Sequence, residues 1–383
     1  MKENRAMLSS SFNEVTINLR NLRDNFKSIQ QAVASQVRIM AVVKSDAYGH
    51  GMVESARSLA AAGAKTFGVA EVEEGVALRE ADVAGEIVVL LGPGPGNVGE
   101  IVQHRLTPVL FTLEGVDALS ATAKERGEDV GVHVKVDVGM GRLGIMPDEL
   151  ISFCRKIEEM PGIHVAGLVS HLPMAEDTVS GVTVRQIEHF HEIVKQLQGE
   201  FSSRLICHIA NSAALLGTSD AHCNMVRPGI SLYGCYPEGL ALENVSVKVH
   251  PVMSFTTRVL QVKEVPAGYG ISYGHMFVTD RPSKIAVLPI GYDDGYLRRL
   301  SNRAEVLIHG RRAPVRGRIC MNACMVDITD FDDGENINVG DEVVLMGCQQ
   351  QERITPEEVA GWMETITYEV FCLFGSMNQR RYI

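Results

Sequence analysis

A lysine, Lys44, closes the apolar run Val37-Arg38-Ile39-Met40-Ala41-Val42-Val43 and is followed at once by Ser45-Asp46-Ala47-Tyr48-Gly49-His50-Gly51. Such a run predicts a strand buried on both faces, so the amine at its end is held by a rigid element at the edge of a core. Desolvation there favours the uncharged amine, which suits Schiff-base chemistry with a carbonyl compound or with pyridoxal phosphate. A strand-end lysine that snorkels to water is the plain alternative. Further apolar runs also end in polar residues: Lys135 with Asp137 and Arg142, then His171, His208 and Arg227. Taken singly, each reads as a hydrogen-bonded core imidazole or a strand-end ion pair. Together they describe a polar ring. Ser212 follows His208, and Gly229 with Ile230 follows Arg227, supplying a hydroxyl and amides of the kind that hold a phosphate; an N-capping serine in a turn is the alternative.

Such a ring needs one scaffold that brings many strand ends to a common mouth. Apolar runs at 37–43, 66–70, 87–91, 108–111, 132–136, 167–170, 205–208 and 224–226 alternate with helix-length amphipathic segments, among them 53–62, 73–81, 147–159 and 184–198. Before the first run, Leu19, Leu22, Phe26, Ile29 and Val33 form a helical stripe at spacings of three and four. Eight strands with their helices in about 230 residues predict a (β/α)8 barrel, whose chemistry gathers where the strands end. Beyond residue 245 the texture changes to β-branched runs at 254–262, 284–289, 305–308, 324–328 and 341–346, which predict a mainly β domain. Thr355 as N-cap, Pro356 at N1 and Glu358 at N3 predict a helix over 355–363. The expected division is a barrel over 12–244 and a β domain over 245–383, with residues 1–11 packing against the latter.

Composition narrows the partners. A chain of 383 residues with 45% hydrophobic and 22% charged residues has enough apolar material for two soluble domains. A net charge of -11 argues against nucleic acid and anionic membrane. No apolar stretch approaches the ~18 residues of a membrane span, and the N-terminal residues carry no apolar leader, so a cytoplasmic protein is expected. Eight scattered cysteines without C-x-x-C fit a reducing compartment, and no metal site is expected.

Six segments carry a resemblance: Ala41 to Gly51; Lys135-Val136-Asp137-Val138-Gly139-Met140-Gly141-Arg142-Leu143-Gly144; His208-Ile209-Ala210-Asn211-Ser212; Arg227-Pro228-Gly229-Ile230-Ser231-Leu232-Tyr233-Gly234; Ile271-Ser272-Tyr273-Gly274; and Gly317-Arg318-Ile319-Cys320-Met321. In this order the chain resembles the bacterial alanine racemases, pyridoxal-phosphate enzymes of fold type III, along nearly its whole length. The resemblance implies a barrel followed by a β domain, pyridoxal 5'-phosphate as cofactor, and interconversion of L- and D-alanine, with D-alanine supplied for peptidoglycan. It makes Lys44 the Schiff-base lysine. Tyr48, Ser212, Gly229, Ile230 and Tyr368 would hold the phosphate, and Arg227 would face the pyridine nitrogen with His208 behind it. Lys44 and Tyr273 would be the two proton-transfer groups, with His171 beside Tyr273. Arg142 and the amide of Met321 would bind the substrate carboxylate. Tyr292 and Tyr368 would narrow the mouth to a methyl group, which favours alanine; a serine or broad-specificity racemase of the same fold is the alternative. The resemblance further implies a homodimer in which Tyr273, Cys320 and Met321 enter the other subunit's barrel, and a carbamate on Lys135. Asn322 departs from the aspartate that many members carry.

Gly139-Met140-Gly141-Arg142-Leu143-Gly144 also satisfies the G-x-G-x-x-G of nicotinamide-binding folds. Against that reading, Pro147 more naturally opens the next helix, and Arg142 stands where a pyrophosphate would pack. A non-catalytic pyridoxal-phosphate carrier would lack the second domain.

Overall fold

The computed structural model describes residues 11–94, 96–177, 180–201, 205–331 and 336–383. The segment 1–10, expected against the β domain, lies outside the described residues. The chain divides into two compact units, Arg20–His250 and a second that joins the segment ending at Leu19 to Pro251–Ile383.

In the first unit eight parallel strands run Arg38–Val42, Thr66–Val69, Glu86–Val89, Thr107–Leu110, Val130–Lys135, Ile163–Val169 and Ile206–His208, with Met225–Val226 pairing back onto the first. Between the last two strands, Asn224 N donates to Cys207 O at 3.4 Å and Arg227 N to Ala210 O at 3.0 Å, completing the (β/α)8 barrel. Met40, Val88, Val109, Val169 and Met225 pack in its middle with Leu90, Phe111 and Ile206. The interior is therefore a filled core and not a pore, which confines chemistry to the ends. Side chains two apart on a strand share a face. His208, two beyond Ile206, and Arg227, two beyond Met225, thus continue the interior rows toward the mouth. The expected stripe of the first helix, Leu19–Ala32, buries Leu22, Phe26 and Ile29, and the same face carries the buried Asn25. Asn25 is satisfied by donating to Leu232 O (2.9 Å) and His250 O (2.8 Å).

The second unit is mainly β. Its largest sheet runs in the order Arg311–Pro314, Glu305–Ile308, Glu342–Gln349, Met253–Arg258, Glu14–Ile17 and Arg380–Tyr382. The segment from residue 12 to Leu19, expected in the barrel, belongs here: Val15 and Ile17 are fully buried, Val15 lies opposite Phe255 in an antiparallel ladder, and Ile17 pairs in parallel with Tyr382. The run 254–262, expected as one strand, is two strands in two sheets. Val259 N bonds to Asp341 O, while Leu260 N turns to Val287 O in the three-stranded sheet of Gln261–Val265, Ser283–Leu288 and Cys324–Asp327. The capping pattern forms as expected, with Thr355 Oγ1 accepting from Glu358 N (3.2 Å) and the Glu358 carboxylate accepting from Thr355 N (2.8 Å). No helix among the described residues is long and apolar enough to cross a membrane.

Candidate active site

Lys44 opens a turn of unusual hand. Ser45, Asp46, Ala47 and Tyr48 have φ of 54°, 52°, 54° and 56°, one turn of left-handed helix, followed by Gly49 and Gly51, also at positive φ. Left-handed backbone costs an L-residue about 1–2 kcal/mol, so the surroundings must impose it. Glu74 does so from the helix Val72–Glu80: one carboxylate oxygen accepts from Ser45 N at 2.6 Å, the other from Ala70 N at 2.7 Å, strapping the turn to the end of the neighbouring strand. Asp46 Oδ1 accepts from Met52 N at 2.8 Å. The Tyr233 hydroxyl donates to Val42 O at 2.9 Å, and the Tyr48 ring lies 5.0 Å from that of Tyr233. Strain concentrated on one catalytic candidate is the pattern of a site that has been positioned at a cost.

Arg227 is 6% exposed and answers the Schiff-base hypothesis from another strand. Its Nη1 donates to His208 Nδ1 (3.0 Å); its Nη2 donates to Ser170 O (2.7 Å), Ile209 O (3.2 Å) and His171 Nδ1 (3.2 Å). These partners are carbonyls and imidazoles, with no carboxylate among them. Burial lowers the guanidinium to about 10. Burial, and then Arg227, push His171 down to about 3, with Arg142, Lys135 and Lys44 adding to the effect; His208 falls well below its ordinary value for the same first two reasons. Both imidazoles are thus neutral, and because a guanidinium can only donate, each accepts at Nδ1 and carries its proton on Nε2.

Lys135 is 8% exposed, and burial, then the charges of Arg142, Arg227 and Lys44, lower it to about 8. Beside it Asp137 wraps the glycine loop around its carboxylate, accepting from the amides of Gly139 (2.8 Å), Met140 (2.6 Å), Gly141 (2.8 Å) and Arg142 (3.3 Å). Partial burial works to raise this carboxyl, and the four amide donors outweigh it and hold it low. Those are the amides a pyrophosphate would need, so the nicotinamide reading fails on geometry.

A cradle closes the ring. Ser212 Oγ accepts from Gly229 N at 2.9 Å and lies 3.1 Å from Ser231 Oγ. A Cβ on Gly229 would overlap the Tyr48 hydroxyl and come 3.1 Å from its Cζ. Glycine is therefore what lets Tyr48 reach this backbone. The Tyr48 and Ser212 hydroxyls, the amide of Ile230 and the cations Lys44 and Arg227 are groups that would suit a phosphorylated aromatic aldehyde, the amides of Gly229 and Ser231 being turned to Ser212 Oγ. The barrel unit thus gathers Lys44, Tyr48, Lys135, Arg142, His171, His208, Ser212, Arg227, Gly229 and Ile230.

The β unit gathers most of the others. Ser272 Oγ donates to Arg318 O at 2.6 Å and lies 3.4 Å from Cys320 Sγ, which ties the Tyr273 turn to Cys320-Met321. Tyr292 N donates to Cys320 O (3.2 Å) and Asp293 N to Met321 O (3.1 Å). Tyr273 is 70% exposed and Met321 53%. Asn322 Nδ2 donates to Asp293 Oδ2 at 3.4 Å, a contact that an aspartate would turn into repulsion. Tyr368 stands half-buried on the helix Thr367–Met377 of the same unit. Two residues that shape this site, Glu74 and His133, carry no local signal in the sequence, because each acts on a partner far along the chain.

A filled barrel whose mouth joins a strand-end lysine, a phosphate cradle and a guanidinium without a carboxylate is a scaffold for Schiff-base chemistry on amino acids. Residues 17–237 match the alanine racemase N-terminal domain and residues 252–382 the alanine racemase C-terminal domain. The alanine racemase of Syntrophobacter fumaroxidans is 42% identical over 361 residues, covering 94% of this chain and 95% of that one. That of Halothermothrix orenii is 40% identical over 366 residues, covering 96% and 95%. The solved alanine racemase of Streptomyces coelicolor A3(2) aligns with a TM-score of 0.89 at 33% identity, covering 97% and 98%; that of Bartonella henselae, with covalently bound pyridoxal phosphate, aligns at 0.86 and 30%, covering 98% and 100%. The chain belongs to the alanine racemase family, isomerases that use pyridoxal phosphate.

Proposed function

We propose that Lys44 and Tyr273 divide the proton transfers of alanine racemisation between the two faces of Cα. The reaction is the interconversion of L- and D-alanine, and the cofactor is pyridoxal 5'-phosphate, which when bound draws electron density from Cα and acidifies its proton. Arg227 carries the reading. A carboxylate facing the ring nitrogen would protonate it and favour a long-lived carbanion; a guanidinium held by carbonyls and neutral imidazoles cannot, so the proton returns promptly to Cα.

Lys44 holds the cofactor and serves the D face. Tyr273 serves the L face, since inversion needs an acid and a base on opposite sides. Tyr48, Ser212, Gly229, Ile230 and Tyr368 hold the phosphate, Arg142 and the Met321 amide take the substrate carboxylate, and Tyr292 limits the side chain. Burial, then the charges of Arg142, Arg227 and Lys44, lower Lys135 to about 8, which raises the share of neutral amine able to add to carbon dioxide; the addition releases one proton to solvent and leaves a carbamate that gives Arg142 an anionic partner. The exposed face of Tyr273 and Met321 supports a homodimer in which it closes the barrel of a second copy. The enzyme acts in the cytoplasm.

The test follows the Cα proton. At equal energies of the two enantiomers kcat/KM is the same in both directions, so exchange with solvent discriminates where turnover does not. Tyr273→Phe should abolish solvent exchange from L-alanine and leave it from D-alanine, and Lys44→Ala should lose the covalently held cofactor. Symmetric loss of exchange in Tyr273→Phe overturns the two-base assignment. L-alanine should exceed L-serine in kcat/KM by roughly 10- to 100-fold, the 1–3 kcal/mol that a pocket extracts from one small group; a preference for serine overturns the substrate.

A further inference from the structure

The hydrogen bonds behind Arg227 do not stop at His208. His208 Nε2 lies 2.8 Å from His133 Nδ1, the two rings edge to face with centroids 5.0 Å apart. We infer that His133 is a positioning residue for this reaction: by accepting from His208 it fixes the one tautomer of that imidazole that can hold Arg227. The inference rests on the reading above, in which Arg227 faces the ring nitrogen of the cofactor.

The direction of the chain is forced. Arg227 Nη1 can only donate, so His208 Nδ1 offers a lone pair, and the neutral ring must then carry its proton on Nε2. That proton points at His133 Nδ1, which must accept, and the His133 proton is left on Nε2. Both rings are fully buried. Burial first, then Arg227 and the charge of Arg38 on the first barrel strand, lower His133 to about 4, so no protonation disturbs the arrangement near neutrality.

The chain is costly to keep. His133 Nε2 is buried with no hydrogen-bond partner among the described residues, and a buried unpaired donor is unfavourable where an apolar side chain of similar shape is not. The neighbouring strand also gives way: opposite His133 stands Gly167, where a Cβ would come 2.7 Å from His133 Cδ2 and 2.8 Å from Nε2. The position faces Val109 on its other side, in a core row where valine or leucine would serve. A histidine kept at that cost is there for what it does to His208. Without an acceptor at His133, the Nδ1–H form of His208 becomes competitive, and it sets one donor against another at Arg227 Nη1.

Two variants separate hydrogen bonding from packing. Leucine at 133 removes the acceptor, whereas the Oδ1 of asparagine takes the place of Nδ1. In cofactor-free protein labelled with 15N-histidine, the native His208 should show one tautomer, protonated at Nε2; His133→Leu should show a mixture, and His133→Asn a single form again. Fluorescence titration should find pyridoxal phosphate bound about tenfold more weakly by His133→Leu, the size of one net hydrogen bond, and near the native affinity by His133→Asn. The melting temperature of His133→Leu should not fall. An unchanged tautomer and affinity in His133→Leu overturns the inference, as does an equal loss in both variants, which would mean packing. Should the leucine variant not fold, a native spectrum with the His208 proton on Nδ1 overturns it without any variant. Failure of native protein to bind pyridoxal phosphate would instead sink the reading of the Arg227 site and leave the tautomer result standing.

Discussion

Gly229 offers the sharpest test of the phosphate cradle. A methyl group there meets the Tyr48 hydroxyl head on, with ring carbon Cζ next at 3.1 Å. Tyr48 cannot move freely, since its own backbone sits in the left-handed turn and its ring lies against Tyr233. Overpacking of this kind costs about 1–3 kcal/mol, and whatever relaxation occurs takes the hydroxyl out of the cradle. A hydrogen bond to a charged acceptor is worth about 1.5–3 kcal/mol, so Gly229→Ala should weaken pyridoxal phosphate binding by roughly 10- to 100-fold. Fluorescence titration of cofactor-free protein measures the affinity, and thermal melting measures the strain. The double variant Gly229→Ala/Tyr48→Phe removes the overlapping oxygen and leaves the contact at 3.1 Å, which a shift of a few tenths of an ångström accommodates. Its melting temperature should return most of the way while its affinity stays low. Native affinity in Gly229→Ala would refute the placement of Tyr48 at the phosphate, and a double variant as unstable as the single one would refute the steric account.

Ser45→Gly should raise stability by about 1 kcal/mol in urea denaturation, because Ser45 is exposed and its φ of 54° costs a side chain but not glycine. A loss would mean that the serine side chain supports the turn. Lys135, if a bare amine, has a folded value of about 8 against 10.5, so the folded protein releases this proton first. Stability should then rise with pH between about 8 and 10.5, where the unfolded chain holds more protons. Below that window the penalty is full, at most about 3 kcal/mol before solvent relaxation. Saturation with 13C-bicarbonate should produce a carbamate resonance and flatten the slope, and Lys135→Gln should abolish both. A bare amine in protein saturated with bicarbonate rules out the carbamate.

The barrel was legible because strands buried on both faces write themselves as continuous apolar runs, and because the polar residue ending each run, Lys44, Lys135, His208 or Arg227, interrupts the pattern. The cap at Thr355 was legible because Thr, Pro and Glu at fixed spacing act within one turn. What escaped notice is imposed from a distance. Nothing in Ser45-Asp46-Ala47-Tyr48 signals left-handed backbone; Glu74, 29 residues away, imposes it. His133 reads as an ordinary strand position, and its partner His208 is 75 residues distant. The strand Arg311–Pro314 hides in Arg-Arg-Ala-Pro, which has one buried residue and no alternation to show. The glycine loop at 139–144 carries the spacing of a nucleotide motif, and its amides are taken by Asp137, which that spacing does not show.

The strand Glu14–Ile17 sets a clock. It leaves the ribosome ahead of the whole barrel, yet Thr16 lies between Ser254 on one side and Arg381 on the other. At about 5–20 residues per second, tens of seconds separate its synthesis from that of its last neighbour. The whole barrel, Arg20–His250, is made in that interval and can fold around local contacts, while Val15 and Ile17 remain an unpaired apolar edge of the kind that recruits other chains. The order in which this chain is written is therefore not the order in which it can close, and the strand Glu14–Ile17 lacks one of its two neighbours until Arg380–Tyr382 emerges.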